Sequence, residues 1–300
     1  MSQALPAHYA ISPASRSHTE RLFDWARGEG WNPGITDFEV AWFYQPAAFM
    51  VLTHAERMIG GGSIMAYSQQ AGFMGLFIMD PAYRGRGLGQ LLWHERLKRL
   101  QARLNPHAPI AMAGVQHMVP FYQKGGFYKQ YDLNRHAGEV ASDFEYRLNN
   151  QLAAVDLLSL PTLQIQDFLS ALYDDARLGF WQHWFSATRQ GGASIGLLTQ
   201  GSLIGLACLR PAQVGFKLGP VFALDSRYAI ELLGYLLSKI PGQQVQIDVP
   251  SYQVSTQQWL NQQGLKPGFS CAYLVHPNGA SAALAKPAPS VFGVTSLEFG

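Results

Sequence analysis

The chain has 300 residues, of which 48% are hydrophobic and 14% are charged, and its formal net charge at pH 7 is +2. This composition excludes a disordered chain, and the near-neutral charge provides no broad basic surface for nucleic acid or an anionic membrane. The length favours two domains, each able to bury its own core. Cys208 and Cys271 have neither a metal-ligand spacing nor a disulfide framework, so we expect buried free thiols. We therefore expect a globular cytoplasmic protein with no nucleic-acid, membrane or metal partner.

Taken in chain order, apolar runs predict strands, and a 3.6-residue apolar period predicts helices. In the first half the predicted strands are residues 9–11, 48–53, 58–67, 72–79, 110–114 and 127–133, and the predicted helices are residues 17–28, 37–44, 88–103 and 118–125. In the second half the predicted helices are residues 164–176, 179–188, 226–239 and 255–263, and the predicted strands are residues 194–198, 203–209, 214–224, 245–249 and 268–275. The apolar residues near the end of the sequence are expected to dock as a final strand.

The same order of elements occurs in both halves, which predicts two copies of one fold. We place the first domain at residues 1–148 and the second at residues 149–300, with the junction near residues 149–160. A single larger mixed sheet is the alternative that this pattern leaves open.

The segment between the strand at 72–79 and the helix at 88–103 reads Arg84-Gly85-Arg86-Gly87-Leu88-Gly89. Glycine allows backbone conformations that other residues rarely adopt, and it removes side chains that would keep a phosphate away from the amides. N–H groups at a helix start have no intrahelical partner and lie at the positive end of the helix dipole. The segment therefore predicts a pyrophosphate site. It lacks the third glycine of a dinucleotide fingerprint and the Gly-Lys pair of a P-loop.

An apolar strand, a proline and then R-x-x-G-x-G before a long helix resemble the signature of the GNAT superfamily of acyl-CoA N-acyltransferases. A second segment, Phe121-Tyr122-Gln123-Lys124-Gly125-Gly126-Phe127, is similar to that family's tyrosine-containing segment. The resemblance covers Ile11 to about Leu133. It implies an α/β (α+β) protein of tandem GNAT folds, each a mixed, mostly antiparallel twisted sheet flanked by helices.

The resemblance implies acetyl-CoA as the co-substrate. In the strand, Phe77, Ile78 and Met79 then bind the pantetheine arm. The turn and the start of the helix bind the pyrophosphate through Arg84, Gly85, Arg86, Gly87, Leu88, Gly89 and Gln90. Tyr122 matches the tyrosine whose hydroxyl lies near the cofactor sulfur and protonates the departing thiolate; the alternative is a core tyrosine with a locally bonded hydroxyl.

The resemblance also implies that an amine attacks the acyl thioester directly. An amine with a pKa of about 10.4 is almost fully protonated at pH 7, so some group must accept a proton. Many family members carry a glutamate in the strand before the turn, but residues 72–79 contain no carboxylate. Our candidate bases are Asp37, Glu39 or a water held by them, and the alternative is that Asp37 only caps the helix that follows it.

Trp31 and Asn32 belong to the loop Gly30-Trp31-Asn32-Pro33-Gly34, which resembles the "WNPG" loop of two-domain GNAT proteins. We expect this loop to shape the acceptor entrance, or its aromatic residue to fill the core. The family often has an asparagine where this chain has Val115, which removes one side-chain contact to the cofactor.

The second half has no glycine from Phe222 to Tyr228, where its copy of the turn falls, and Asp225 would repel a phosphate. We expect this half to be degenerate, to bind no nucleotide and to line the acceptor pocket. The sequence thus predicts transfer of an acetyl group from acetyl-CoA to a small-molecule or peptide amine. Because the strand carboxylate is missing, a non-catalytic acyl-CoA-binding or sensing protein is the alternative. The sequence leaves the acceptor and the oligomeric state open.

Overall fold

The computed structural model describes residues 7–172, 177–278 and 288–300. The strands of the first half are β1 (Tyr9–Pro13), β2 (Phe49–His54), β3 (Arg57–Ala66), β4 (Gly72–Met79), β5 (Ile110–Val115) and β6 (Tyr128–Glu139), and its helices are α1 (Arg16–Gly28), α2 (Asp37–Tyr44), α3 (Leu88–Gln101) and α4 (Val119–Lys124). The strands of the second half are β7 (Leu152–Asp156), β8 (Ala193–Thr199), β9 (Ser202–Pro211), β10 (Phe216–Ala223), β11 (Gln244–Pro250), β12 (Lys266–His276) and β13 (Val291–Gly293), and its helices are α5 (Thr162–Leu172), α6 (Leu178–Thr188), α7 (Ser226–Leu237) and α8 (Val254–Gln262).

The predicted order of helices and strands is confirmed, and α2 and β4 have the predicted bounds. The junction prediction missed β7, which lies within residues 149–160. The end of the predicted helix at 164–176 includes residues 173–176, which lie outside the described residues. None of the described helices has both the length and the apolar character needed to cross a lipid bilayer.

All described strands belong to one mixed sheet, whose order is β1-β2-β3-β4-β5-β12-β6-β11-β10-β9-β8-β7, with β13 beside β10. The two halves exchange strands at the centre of this sheet. The second-half strand β12 pairs antiparallel with β5 and with β6, and β6 pairs antiparallel with β11. The two copies of the fold are therefore joined by continuous backbone hydrogen bonding.

The parallel pairing of β4 with β5 is short. It joins Gly72 to Ile110 and Phe73 to Ala111, and the described ladder ends there. Close to this point the register between β3 and β4 shifts, and Leu76 has a positive φ of 51°, as expected for a bulge. The edge of β4 that faces β5 is therefore open beyond Phe73.

The helices of the first half pack on opposite faces of the sheet. On one face, α1 and α2, together with α6 of the second half, share an apolar cluster with Leu76 and Ile78 of β4. On the other face, Trp93 of α3 and Tyr122 of α4 share a cluster with Met74. Neighbouring β4 residues thus belong to different clusters, because successive side chains of a strand point to opposite faces. The bulge at Leu76 shifts this alternation, so Met74 lies on the face opposite Leu76 and Ile78.

The end of the chain docks as predicted. Its residues form β13 and continue as a buried segment, residues 294–300, which we call the C-terminal tail. The tail passes from the second half to the first: the N–H of Val294 donates to the carbonyl of Asp248 at 3.0 Å, and the hydroxyl of Tyr67 donates to the carbonyl of Phe299.

Candidate active site

A cavity of about 510 Å³ lies where β4 and β5 separate. Its walls include residues from both faces of the sheet, among them Leu76 and Ile78 on one side and Met74 and Tyr122 on the other. The cavity therefore passes through the sheet. It joins the glycine turn before α3 to a space bordered by the second half.

Most of the predicted cofactor residues line this cavity. They are Phe77, Ile78, Met79, Arg84, Gly85, Gly87, Gly89, Gln90 and Tyr122. Arg86 and Leu88 are not among the lining residues: Leu88 is buried in a small apolar cluster, and the guanidinium of Arg86 lies 5.3 Å from the ring centroid of Tyr83. For Leu88, only the backbone amide is available to a ligand.

The glycine turn holds backbone conformations that favour glycine. Gly85 and Gly87 each have a φ of +76°, and an added Cβ at either position would meet no atom within 4 Å. No residue in the described ranges accepts a hydrogen bond from the N–H groups of Gly85 through Gly89, whereas the N–H of Gln90 donates to the carbonyl of Gly87 at 3.1 Å. Five successive free amides at the start of a 14-residue helix lie at the positive end of its dipole, the arrangement that favours an anion.

Arg84 braces this turn. Its Nε donates to the carbonyl of Met79 at 2.9 Å, and its guanidinium forms an ion pair with Glu29 of α1. Because its side chain is about half exposed, the ion pair adds little stability. Its positive charge is held beside the free amides, and Glu29, which the sequence analysis did not select, lines the cavity next to it.

Tyr122 lies at the cavity wall. Its ring packs against Gly114, where a Cβ would sit 2.4 Å from the ring, and against Trp93 at a centroid distance of 5.0 Å. Its hydroxyl has no hydrogen-bond partner among the described residues, which argues against a locally bonded core tyrosine. Burial raises the pKa of Tyr122 and the Arg96 cation lowers it, with burial the larger effect. The hydroxyl therefore stays protonated at neutral pH.

Arg96 of α3 is fully buried and holds the bulge of β4. Its Nη2 donates to the carbonyls of Ser63 and Gly75, each at 2.6 Å. Burial lowers its pKa to about 9, so the side chain stays charged at neutral pH. Gly62 makes room for it, since a Cβ there would lie 2.3 Å from Arg96 Cζ. The glycine run at residues 60–62 was a signal for this arrangement that the sequence analysis did not use.

The two residues of the WNPG-like loop lie in different surroundings. Trp31 lines the cavity. Asn32 does not: its side chain donates to the carbonyl of Val214 at 3.0 Å and accepts from the N–H of Val214 at 3.1 Å. Asn32 therefore joins the two halves, and we no longer assign it to the acceptor site.

Asp37 also lies outside the cavity wall, contrary to the expectation that it acts as the base. Its carboxylate is 1% exposed and accepts from Arg210 at 2.8 and 3.3 Å and from the N–H of Gly34 at 2.8 Å. All of these contacts fix the carboxylate in an ion pair. Glu39, the second candidate, is exposed and pairs with Arg16. Neither residue is placed to accept a proton in the cavity.

The second half supplies one wall of the cavity, through Phe269, Cys271 and Leu297. Two of these residues lie on the exchanged strand β12, and the third lies on the C-terminal tail. With Trp31 and Leu76 they give this end of the cavity an aromatic and aliphatic lining.

Two parts of the chain match models of the acetyltransferase (GNAT) domain, at residues 39–148 and 170–287. This chain belongs to the GNAT acetyltransferase family. Its two GNAT domains lie in tandem, as the repeated order of elements predicted.

Individual proteins similar to this GNAT chain include holothin acyltransferase from Pseudoalteromonas sp. (strain SANK 73390), which is 22% identical over 262 residues, 87% of this chain and 85% of the relative. A protein from Pyrococcus horikoshii, described as a candidate acetyltransferase, has a similar fold, with a TM-score of 0.77 at 16% identity over 100% of this chain and 99% of that chain. A tandem GNAT protein from the clavulanic acid biosynthesis pathway has a TM-score of 0.59 at 12% identity over 91% of this chain and 99% of that chain.

The second GNAT domain differs from the first at the positions that correspond to the glycine turn and to the cavity. The carboxylate of Asp225 accepts from the N–H groups of Arg227 and Tyr228 at 2.8 and 3.3 Å and so caps the helix that corresponds to α3. Strand β13 fills the gap where β10 and β11 separate, and Gly293 packs between Val221 and Ile247. The second domain thus occupies with its own residues the two positions that are open in the first.

Proposed function

We propose that this GNAT protein transfers an acetyl group from acetyl-CoA to a primary amine of a small-molecule or peptide acceptor. The observation that carries the proposal is the row of free amides from Gly85 to Gly89 at the mouth of a cavity that also reaches the free hydroxyl of Tyr122. A pyrophosphate fits the amides, because each donates a hydrogen bond to a charged acceptor and the helix dipole adds to the attraction.

The open edge of β4 can bind the pantetheine arm of acetyl-CoA. Beyond Phe73 this strand has no described partner on the β5 side, so its backbone groups there are available to the amide groups of a pantetheine arm, except the carbonyl of Met79, which accepts from Arg84. An extended arm that pairs with a strand edge uses the same hydrogen bonds as a neighbouring strand. The arm would direct the thioester toward Tyr122.

The reaction then needs three events at the thioester. The amine nitrogen forms a bond to the carbonyl carbon, the carbon–sulfur bond breaks, and the sulfur gains a proton. Tyr122 is our candidate donor for that proton. A thiol has a pKa near 8.5, below that of a buried phenol, so the hydroxyl stabilises the developing thiolate chiefly through a strong hydrogen bond. Its contribution is therefore moderate.

The acceptor approaches from the wall built by Trp31, Leu76, Phe269 and Leu297. This lining favours an amine that carries an apolar or aromatic group. The acyl transfer named for the Pseudoalteromonas relative supports the reaction class.

Calorimetric titration with acetyl-CoA tests donor binding. The variants are Gly87→Ala and, as a matched control, Gly201→Ala. Gly201 lies in the turn between β8 and β9, has a φ of +81° and, like Gly87, has open space where a Cβ would be. Both variants carry a similar backbone strain. We expect Gly87→Ala to weaken binding at least about tenfold, because the added methyl group keeps the phosphate away from an amide and one hydrogen bond to a charged group is lost. Gly201→Ala should bind like the wild type. A wild type that does not bind, or equal affinity of all three proteins, would reject the proposal.

Release of free thiol with a panel of amines tests turnover. Thiol release with any amine supports an acyltransferase if its rate is lower in the Tyr122→Phe variant than in the wild type. Tight acetyl-CoA binding without release of thiol for any amine would instead support the acyl-CoA-binding or sensing alternative.

A further inference from the structure

Arg135, on β6, is a buried cation at the place where the two halves meet. Its Nε and Nη2 donate to the carboxylate of Asp248, on β11, at 2.8 and 3.0 Å. Burial lowers the pKa of Arg135, but the carboxylates of Asp248 and Glu298 together raise it by more, so the side chain is charged at neutral pH. The ion pair with Asp248 leaves one nitrogen of the guanidinium, Nη1, for another partner.

That third nitrogen of Arg135 holds the backbone of a cavity residue. Nη1 donates to the carbonyl of Trp31 at 3.0 Å, and the Nζ of Lys217, a second buried cation, lies 3.5 Å from the same oxygen. Trp31 lines the cavity. A hydrogen bond from a charged donor is stronger than one from a neutral donor. The backbone of Trp31 is therefore fixed by two cations, one from each half of the molecule.

Arg135 also contacts a second aromatic residue of the cavity wall, Phe269. Its Cζ lies 5.3 Å from the centroid of the Phe269 ring, which is a cation–π distance. The strands shift register here, because β12 has Gly268 and Phe269 where β6 has Arg135 alone, as in a bulge. Bulges often occur beside active sites, where they redirect a side chain. The Phe269 ring is thus held at the cavity while 37% of the residue stays exposed.

Stability alone does not account for these buried charges. The cost of taking two charges out of water is often as large as their attraction, and apolar residues of the same volume are often at least as stabilising. A binding site, by contrast, needs wall residues that are held in one position by the residues behind them. One guanidinium contacts both Trp31 and Phe269, so the relative position of these two aromatic residues depends on Arg135.

We propose that Trp31 and Phe269 bind a planar aromatic ring carried by the acceptor amine. Arg135, with Lys217 beside it, positions this pair. The inference rests on the proposed acetyl transfer and deepens it, since it narrows the acceptors from apolar amines to amines with an aromatic ring. Two aromatic rings that stack or meet edge to face gain more than the burial of their apolar area provides.

The test of the ring site compares phenethylamine with 2-cyclohexylethylamine, whose ring has the same carbon count but no π system. The two amines differ in basicity, so each variant is compared with the wild type for each amine separately, and the basicity cancels. The variant Phe269→Leu removes the aromatic ring and keeps an apolar side chain. Its control is Phe43→Leu, at an exposed phenylalanine of α2 that is not a lining residue of the cavity.

For Phe269→Leu we expect kcat/KM to fall about 2- to 10-fold more with phenethylamine than with the cyclohexyl amine, the range for the loss of one aromatic pair. The loss should appear in KM, with kcat changed less than about twofold, because Phe269 contacts the ring of the acceptor and not the reacting atoms. Acetyl-CoA affinity should match the wild type. Phe43→Leu should behave as the wild type with both amines.

Arg135→Lys tests the positioning role. Lysine keeps a positive charge beside Asp248 but lacks the planar fork that bonds several acceptors at once. The matched control is Arg210→Lys, because Arg210 is also buried, forms a two-pronged ion pair with Asp37 and lies over the ring of Trp184, which is not a lining residue of the cavity. Both variants should lose stability in urea unfolding, but only Arg135→Lys should lose preference for phenethylamine.

The double variant Arg135→Lys/Phe269→Leu should lose less of this preference than the product of the two single effects, because Arg135 acts partly through that ring. If Arg135→Lys does not fold, Lys217→Met/Glu298→Gln removes one buried charge of each sign and one donor from the carbonyl of Trp31. This variant should also reduce the preference for phenethylamine, and an unchanged preference would overturn the positioning role.

Three results would overturn the inference and leave acetyl transfer standing. They are an equal loss with both amines in Phe269→Leu, an unchanged preference for phenethylamine in Arg135→Lys, and an equal loss of this preference in Arg135→Lys and Arg210→Lys. Absence of acetyl-CoA binding by the wild type, or of thiol release with every amine, would instead reject the proposed function itself.

Discussion

The carboxylate of Asp37 accepts two hydrogen bonds from the guanidinium of Arg210, at 2.8 and 3.3 Å, and each side chain is 1% exposed. Asp37 begins α2 in the first half, and Arg210 lies on β9 in the second. Arg210 also donates to the carbonyl of Gly219 at 2.9 Å and lies 4.6 Å from the ring centroid of Trp184. The ion pair is therefore a buried joint between the two halves of the molecule.

Substitution Asp37→Asn should destabilise the protein by about 3–5 kcal/mol, because it leaves the Arg210 cation buried without its counter-ion. Urea unfolding measures this loss. The double variant Asp37→Asn/Arg210→Met should lose less than the sum of the two single variants, since it removes the charge together with its partner. The folded fraction of Asp37→Asn should keep wild-type acetyl-CoA affinity. A variant with unchanged stability but abolished turnover would return Asp37 to the role of base.

The sequence could not distinguish these two roles for Asp37. It showed a carboxylate just before a short helix and beside a loop that resembles an acceptor-site loop. The residue that determines its role, Arg210, is 173 positions away, and no local pattern reports that contact. Leu297 was missed for a similar reason: within an apolar stretch of sequence, nothing indicates that this leucine lies at the cavity of the first half.

Local features were predicted well because they depend on local chemistry. The bounds of β4 and α2 follow from apolar runs and a polar helix start, and the glycine turn follows from three glycines before a helix. The exchange of β12 and β6 could not be predicted, since the period of a strand specifies which face is buried and not which strand lies beside it. The sequence analysis treated two copies of one fold and one larger mixed sheet as alternatives, but the chain has both: two GNAT domains that share one sheet.

This exchange predicts that the halves are not independent. In a fragment of residues 1–148, β6 loses both of its neighbours and β5 loses β12. We expect fragments 1–148 and 149–300, expressed alone, to show no cooperative unfolding, and the co-expressed pair to bind acetyl-CoA. Full-length protein cut by a protease at a site inserted after residue 148 should stay associated on gel filtration. A fragment 1–148 that unfolds cooperatively and binds acetyl-CoA alone would contradict this prediction.

His136 on β6 predicts how stability depends on pH. The side chain is buried, and burial lowers its pKa, with a smaller opposing effect from the backbone near Asn134 and from Asp248. As the pH falls below about 6.5, the unfolded chain binds a proton that the folded chain does not, so stability falls with the pH. Melting temperatures measured from pH 7 to pH 5 should fall less for His136→Gln than for the wild type.

The control for this series is His94→Gln, at an exposed position on α3. Its melting temperature should fall with pH as the wild type does. His276, whose pKa is also lowered by burial, should account for part of the fall that remains in His136→Gln. Equal slopes for His136→Gln and the wild type would show that another group causes the acid sensitivity.

Tyr122 gives the sharpest test of the leaving-group side of the reaction. Because its hydroxyl has no described partner, Tyr122→Phe removes no internal hydrogen bond and should fold with wild-type stability and bind acetyl-CoA normally. We expect kcat to fall about 10- to 100-fold, the lower part of the range for acid catalysis, because a thiolate leaves tolerably without a donor. Thiol release under saturating acetyl-CoA measures this, with Tyr128→Phe, an exposed tyrosine on β6, as the control. A Tyr122→Phe variant with wild-type kcat would make this tyrosine only a wall of the cavity.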